Sequence, residues 1–315
     1  MKNEVINQLK DKAIWVVFVI LFLGFAIANQ RFLSSNNLIL ILRQVSMLGI
    51  ASVGMTFVIL IAGIDLSIGS IITIVNVVCA YIMVKLGLSM WIAIPLSLLL
   101  ATLIGFINGF MVASVGIPAL IATFAMQTVV AGAALKISGG LPIFGFDERF
   151  RVFGQGYIGP IPVPIIIMII CFAAGSFILN KTYFGRYFYA VGGNEEASEL
   201  SGIRVTNVKY MVYALSGFFA GLAGIVMLSR TNSAQSTIGQ GFEFDVITCV
   251  VLGGVSVMGG LGKISNVIAG VLIIGVLSNG MVLMNVSAFD QMIIKGIILA
   301  TAVGFDCLQK RKRVI

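Results

Sequence analysis

Ten apolar stretches, at about 13–29, 38–62, 66–87, 90–113, 117–138, 162–180, 208–229, 245–258, 264–285 and 289–307, run through a chain of 315 residues, and nearly every charge falls between them. A soluble fold of this length covers one core with charge. Here 59% of the residues are hydrophobic and 10% are charged, so hydrocarbon has to cover the outer surface. Backbone N–H and C=O groups find no water there, and only helices or closed barrels can cross. Runs of roughly 15 to 25 residues select helices over the shorter alternating strands of a barrel. The expected fold class is therefore an all-α polytopic membrane protein, a single domain over 1–315 with ten crossings. The first and eighth stretches are short for a straight crossing, so each is expected to be tilted, broken or partly re-entrant.

Short loops rich in Lys and Arg stay in the cytoplasm. The N-terminal tail carries Lys2, Lys10 and Lys12, the C-terminal tail Lys310, Arg311, Lys312 and Arg313, and the loop between stretches six and seven Lys181, Arg186, Arg204 and Lys209. An even number of crossings puts all three on one side, so both termini and the loop at 181–207 are expected to be cytoplasmic and the loop at 139–161 extracytoplasmic. The formal charge of +8 then reads as topology and contact with anionic lipid. Nucleic-acid binding would call for a basic soluble domain, and the sequence has no room for one. The run at 13–28 has no convincing cleavage site and is expected to stay as a helix. Cys79, Cys171, Cys249 and Cys307 fall in or beside apolar stretches with no metal-ligand spacing, and read as four buried thiols.

The chain contains no histidine, which excludes His-based metal sites, Ser-His-Asp triads and His proton relays. Proton-driven carriers place carboxylates deep inside helices. None of the twelve acidic residues is in mid-stretch: Asp65, Glu243, Asp245, Asp290 and Asp306 stand at edges, and the rest lie in tails and loops. Sodium coupling through neutral oxygens stays open. The nearest look-alike of a phosphate-binding loop, Val257-Met258-Gly259-Gly260-Leu261-Gly262-Lys263-Ile264, lacks the leading Gly and has Ile264 where a magnesium-binding hydroxyl belongs. ATP, if used, has to be bound by another subunit.

Four polar features interrupt the apolar pattern. In the 181–207 loop, Asn194 can cap a helix, Glu195 and Glu196 suit its positive end, and Gly202 can terminate it. So short a helix needs a partner surface, either a cytoplasmic motor or the chain's own bundle. Gly63-Ile64-Asp65-Leu66-Ser67-Ile68-Gly69-Ser70 reads either as a helix restart capped by Asp65 or as a broken helix lining a translocation path. Gly253-Gly254 and Gly259-Gly260-Leu261-Gly262 make a tight turn or a gate hinge. Lys295 is the deepest charge of the last stretch and is expected to snorkel or pair with another helix rather than meet solute. Gln44, Asn76, Asn108, Thr123, Gln127 and Asn279 can bind an uncharged hydroxylated solute or hold helices together.

Taken in order, these strings resemble one family. Asn37-Leu38, Leu42-Arg43-Gln44 and Gly54-Met55-Thr56-Phe57-Val58-Ile59 lead into the Gly63–Ser70 string. Asn108-Gly109, Ile117-Pro118 and Ile121-Ala122-Thr123 follow, then Phe184-Gly185-Arg186 and Gly193-Asn194-Glu195-Glu196-Ala197 ending in Leu200-Ser201-Gly202-Ile203. Gly241-Phe242-Glu243 with Asp245, the two glycine clusters and Ile293-Ile294-Lys295-Gly296 complete the series. The chain resembles, over nearly its whole length, the membrane permeases of ribose-type ABC importers. Ala62 departs from a common Gly and Ala119 from a common Pro. The resemblance implies the ABC importer permease fold in a bacterial inner membrane and import of a monosaccharide, ribose above all. It also implies a second permease copy or paralogue, a cytoplasmic ATP-binding subunit holding ATP and Mg, and an extracytoplasmic sugar-binding protein. No cofactor is expected on this chain and no catalysis. Gly193, Asn194, Glu195, Glu196, Ala197, Ser201 and Gly202 would receive the ATPase stroke. Gln44, Asp65, Ser67, Asn108, Thr123, Gln127 and Lys295 are the path or gating candidates. A permease of the same architecture for autoinducer, nucleoside or branched-chain amino acid, and a stand-alone secondary carrier, are the competing readings.

Overall fold

The computed structural model describes the backbone of residues 2–314 and the side chains of residues 13–308. The charged side chains of Lys2, Glu4, Lys10, Asp11, Lys12 and 310–313, on which the reading of the tails rests, lie outside the described residues. The helices, in chain order, are α1 (Lys2–Ala28), α2 (Ser35–Leu60), α3 (Ile68–Ala80, continued by a π turn Tyr81–Lys85), α4 (Met90–Ala113) and α5 (Ala119–Ser138). They continue with α6 (Val152–Gln155), α7 (Val163–Lys181), α8 (Tyr183–Gly193), α9 (Glu195–Leu200), α10 (Val205–Thr231), α11 (Phe242–Leu252), α12 (Ile264–Leu283) and α13 (Ala288–Val314). A two-stranded hairpin, β1 (Tyr157–Ile158) and β2 (Ile161–Pro162), leads into α7.

Among the described residues, eight helices are long and apolar enough to cross a bilayer. The other two expected crossings are the two short ones: α1 contributes the apolar segment Ala13–Ala28, and α11 is only 11 residues long. The chain is an all-α polytopic membrane protein. Its helices form an inner set and an outer set. In α3, α10 and α12, 72% of the apolar window is buried, and in α2 67%, against 28% in α4, 22% in α5 and none in α13. Water would not tolerate so much exposed apolar surface, whereas lipid or a second subunit covers it without cost.

With no hydrophobic drive between helices in lipid, small residues let the inner set pack backbone to backbone. A Cβ on Gly105 of α4 would overlap the Tyr213 carbonyl of α10, and one on Gly217 of α10 would overlap the Ala101 carbonyl of α4. Gly54 of α2 lies as close to α10, where a Cβ would stand 2.8 Å from Ser216 Cα. The Asn76 amide joins α3 to α10 by donating to the Gly224 carbonyl at 2.8 Å. Asn37 and Asn279 exchange paired amide bonds of 3.0 and 2.9 Å between α2 and α12.

One end of the bundle gathers the end of α2, the end of α8 and the 253–262 loop, where Gly260 N donates to the Leu60 carbonyl at 2.9 Å. The opposite end is capped by 139–162, tied to α10 by Gly154 N donating to Ser229 Oγ at 2.7 Å and to the segment after α10 by a bridge between Ile143 and Ala234. Cys79, Cys171 and Cys249 are buried, but Cys307 is exposed. The expectation of four buried thiols fails there because α13 lies outside the inner set.

Candidate translocation path and coupling surface

Asp65, Glu243 and Asp245 stand at the edges of apolar stretches in the sequence, yet the fold buries the first two and half-buries the third. Asp65 is fully buried and Glu243 is 2% exposed. After α2 the chain turns at 61–67 inside the bundle, and Asp65 meets Ser216, eleven positions along α10 from Val205. At about 1.5 Å per residue that is roughly 16 Å from the start of the helix, close to the middle of a hydrocarbon core about 30 Å thick. A second break does the same: the 232–241 segment brings Gly239 N to Thr73 Oγ1 of α3 at 3.0 Å, and α11 starts there, not at the bundle's end. Half-helices that begin at mid-depth are how membrane transporters build polar sites.

Four of the seven path candidates converge on the first break. Asp65 Oδ1 accepts from Ser67 N at 3.0 Å and Ser67 Oγ at 2.6 Å, and Oδ2 accepts from Ser216 Oγ at 2.8 Å. Asn108 of α4 donates to Ser67 Oγ at 2.8 Å, and Thr123 Oγ1 of α5 accepts from Leu66 N at 3.1 Å. The carboxylate thus acts two residues before the helix cap: it holds the turn, while Ser67, the cap residue of α3, makes no side-chain bond to the helix. Asp65, Ser67, Asn108 and Thr123 are all fully buried, so in this conformation the network binds helices together and meets no solute.

The remaining three lie apart. Gln127 of α5 is half-buried and donates to Glu243 Oε1 of α11 at 2.9 Å. Gln44 of α2 is half-buried. Lys295 of α13 pairs with Asp245 of α11 at 2.6 Å, which is the pairing with another helix expected of it. The sequence places Glu243 at the edge of a stretch and in its string, but not among the path candidates. The Gly-Phe-Glu string just before an apolar run was the available signal, since it gives a carboxylate at a helix start.

At the loop end, two helices stand where one was expected. α8 continues α7 after Thr182, and α9 is the short helix read from the sequence. Asn194 caps α9 by accepting from Ala197 N at 2.9 Å, Glu195 and Glu196 fill its first turn, and Gly202 follows at φ +85°. Ser201 Oγ donates back to the Ala197 carbonyl at 2.8 Å, and Lys209 holds Glu195 at 2.6 Å. Gly193 and Leu200 are exposed, Leu200 by 85%, so α9 presents an apolar tip to whatever lies beyond the bundle. A single such residue needs no explanation by itself, but six residues do not hold a helix alone in water. Tyr189 of α8 donates to the Gly262 carbonyl at 2.9 Å, and burial pushes its phenol up from the ordinary value. Ser256 Oγ and Val257 N both donate to Asp306 of α13 at 3.0 Å. The look-alike loop at 257–264 is therefore occupied by its own protein partners.

The chain is 44% identical to the ribose import permease protein of Haemophilus influenzae, with 97% of each chain covered. It is 44% identical to the ribose import permease protein of Bacillus subtilis over 91% of this chain and 89% of the relative. Against the L-arabinose transport system permease protein of Escherichia coli the identity is 41%, covering 95% and 92%. No solved structure matches the chain significantly. The family model described as the branched-chain amino acid transport system permease component matches residues 37–302, from the start of α2 to within α13 and across both helix breaks, and the chain belongs to that family.

Proposed function

We propose that the chain is the membrane permease of a bacterial ATP-binding cassette importer for a monosaccharide, with ribose as the foremost cargo, in the inner membrane with both termini cytoplasmic. The observation that carries this is full-length identity of 44% to a ribose import permease. The chain is a transport subunit and not an enzyme. The interior supports an uncharged cargo, because Lys295 is the one cation among the path candidates and is committed to Asp245, which leaves them no positive charge to meet a cargo carboxylate. An amino acid would call for charges free to meet its ammonium and carboxylate.

In this reading a separate ATP-binding subunit, holding ATP and Mg, docks on α9 and takes Gly193, Asn194, Glu195, Glu196, Ala197, Ser201 and Gly202 as its contact. A second permease copy or paralogue completes the path, and a soluble sugar-binding protein docks at the 139–162 end. Alternating access follows: nucleotide state shifts two arrangements of the bundle, and the break at Asp65 and Glu243 opens to one side at a time. Gln127, half-buried in front of Glu243, is the first of the candidates a solute would reach. Tight selectivity resides in the binding protein, so the path itself binds weakly.

Reconstituted with its ATP-binding subunit and binding protein in liposomes, the permease is expected to accumulate radiolabelled ribose only with ATP, and unlabelled ribose is expected to compete better than arabinose. Accumulation by the permease alone under an ion gradient would make it a secondary carrier, and indifference to ribose would remove the cargo.

A further inference from the structure

Three chain segments cross at the loop end with no side chain larger than the Ala62 methyl between them. Gly192 lies in the last turn of α8, Leu60 closes α2, and Gly259-Gly260 lies in the loop between α11 and α12. A Cβ on Gly192 would overlap the Leu60 carbonyl and stand 2.7 Å from Gly260 N. One on Gly259 would stand 2.7 Å from the Gly192 carbonyl and 2.8 Å from Ala62 Cβ, and one on Gly260 2.8 Å from Gly193 Cα. Gly259 and Gly260 have φ of +76° and +71°, and Ala62 on the facing strand of the joint has φ of +59°, a conformation that a side chain disfavours. The Gly260 N–H to Leu60 carbonyl bond of 2.9 Å clamps the crossing.

The joint lies between the two places where the function is expected to act. Gly193 directly precedes Asn194, the cap of the coupling helix, and Ala62 stands three residues before Asp65, whose carboxylate holds the mid-bundle break. We propose that this backbone joint is the positioning element that passes displacement of α9 to the Asp65 break, with Gly192, Leu60, Ala62, Gly259 and Gly260 as its parts. Bare backbone in contact makes a stiff link, because no long side chain is there to absorb a small shift by changing rotamer, and packed interfaces move between discrete arrangements. The left-handed Ala62 places the turn under strain that a shift of the crossing can release. The proposal rests on the importer reading above and adds the route by which the stroke reaches the path.

The test uses the full complex with its ATP-binding subunit and binding protein in liposomes. In a Cys307→Ser background, Ala62→Cys and Gly259→Cys place two Cβ atoms about 1 Å closer than the ~3.8 Å of a relaxed disulfide, and copper phenanthroline with dissolved oxygen oxidises the two thiols to that disulfide. Oxidation is expected to lower ATP-driven ribose uptake at least tenfold, with recovery on reduction, while either single substitution responds to neither reagent. Uptake within twofold of the reduced sample would overturn the proposal. If the loss is not reversed by reduction, the exposed single variant Ala62→Cys decides, through maleimide labelling. A rate changed fivefold or more between the nucleotide-free and vanadate-trapped complexes supports a moving joint, and equal rates refute one. A parent complex that fails to take up ribose with ATP would instead sink the importer reading.

Discussion

Replacing Asp65 separates the two jobs a buried carboxylate can do, accepting hydrogen bonds and carrying charge. The structure gives it three donors, Ser67 N at 3.0 Å, Ser67 Oγ at 2.6 Å and Ser216 Oγ at 2.8 Å, and no cationic partner among the described residues. Asp65→Ala strands all three in the interior, at about 1–3 kcal/mol for each buried donor left unmade. Ser216 can turn its hydroxyl back to its own helix, so the net loss is about 2–5 kcal/mol. Asp65→Asn keeps an oxygen for both Ser67 donors and turns an amide toward Ser216 Oγ, which can accept, so it is expected to cost under about 1 kcal/mol. At roughly 2–4 °C per kcal/mol the alanine variant should melt about 4–20 °C lower and the asparagine variant no more than about 4 °C lower than the parent. The buried thiols Cys79, Cys171 and Cys249 supply the assay: a thiol-reactive fluorophore reports their exposure on heating detergent-solubilised protein in a Cys307→Ser background. Equal losses in the two variants would refute the reasoning, because charge rather than hydrogen-bond acceptance would then be what holds the break.

Lys295→Met leaves Asp245 unpaired and is expected to cost about 3 kcal/mol, whereas Lys295→Met with Asp245→Leu should recover to within about 1 kcal/mol of the parent in the same melting assay. A double variant no better than the single would show that the pair does not act as a unit. Gly217→Ala drives a methyl into the Ala101 carbonyl and is expected to lower stability by about 3 kcal/mol or more, while Gly132→Ala, which meets nothing within 4 Å, should be neutral. Asn194→Ala removes the α9 cap, worth about 1 kcal/mol locally. It should lower uptake per ATP hydrolysed severalfold with an unchanged melting temperature, and an unaltered ratio would take the capped helix out of the coupling step.

Some of the structure was readable residue by residue. Apolar run length locates eight crossings and flags the two short ones, because the need to satisfy backbone groups in hydrocarbon acts along a single segment. α9 was readable for the same reason, since Asn194, Glu195, Glu196 and Gly202 act within one turn of each other. Ala62 could be picked out as a departure from the family's glycine, and its φ of +59° shows what the departure means for the backbone. α8 was missed because its apolar positions serve a face on α7 and α2 that only the folded bundle supplies. Glu243 and Asp65 were misjudged in depth because the edge of an apolar run was taken as the edge of the membrane, and two breaks fold those edges inward.

From its letters alone this chain is committed to helices in lipid and to a short capped helix between two of them, since hydropathy and capping are satisfied by neighbours in sequence. Only the tertiary structure decides that Asp65 meets Ser216 across 151 positions and Asn108 reaches Ser67 across 41, because a buried polar group is satisfied by whatever the packing brings within hydrogen-bond reach.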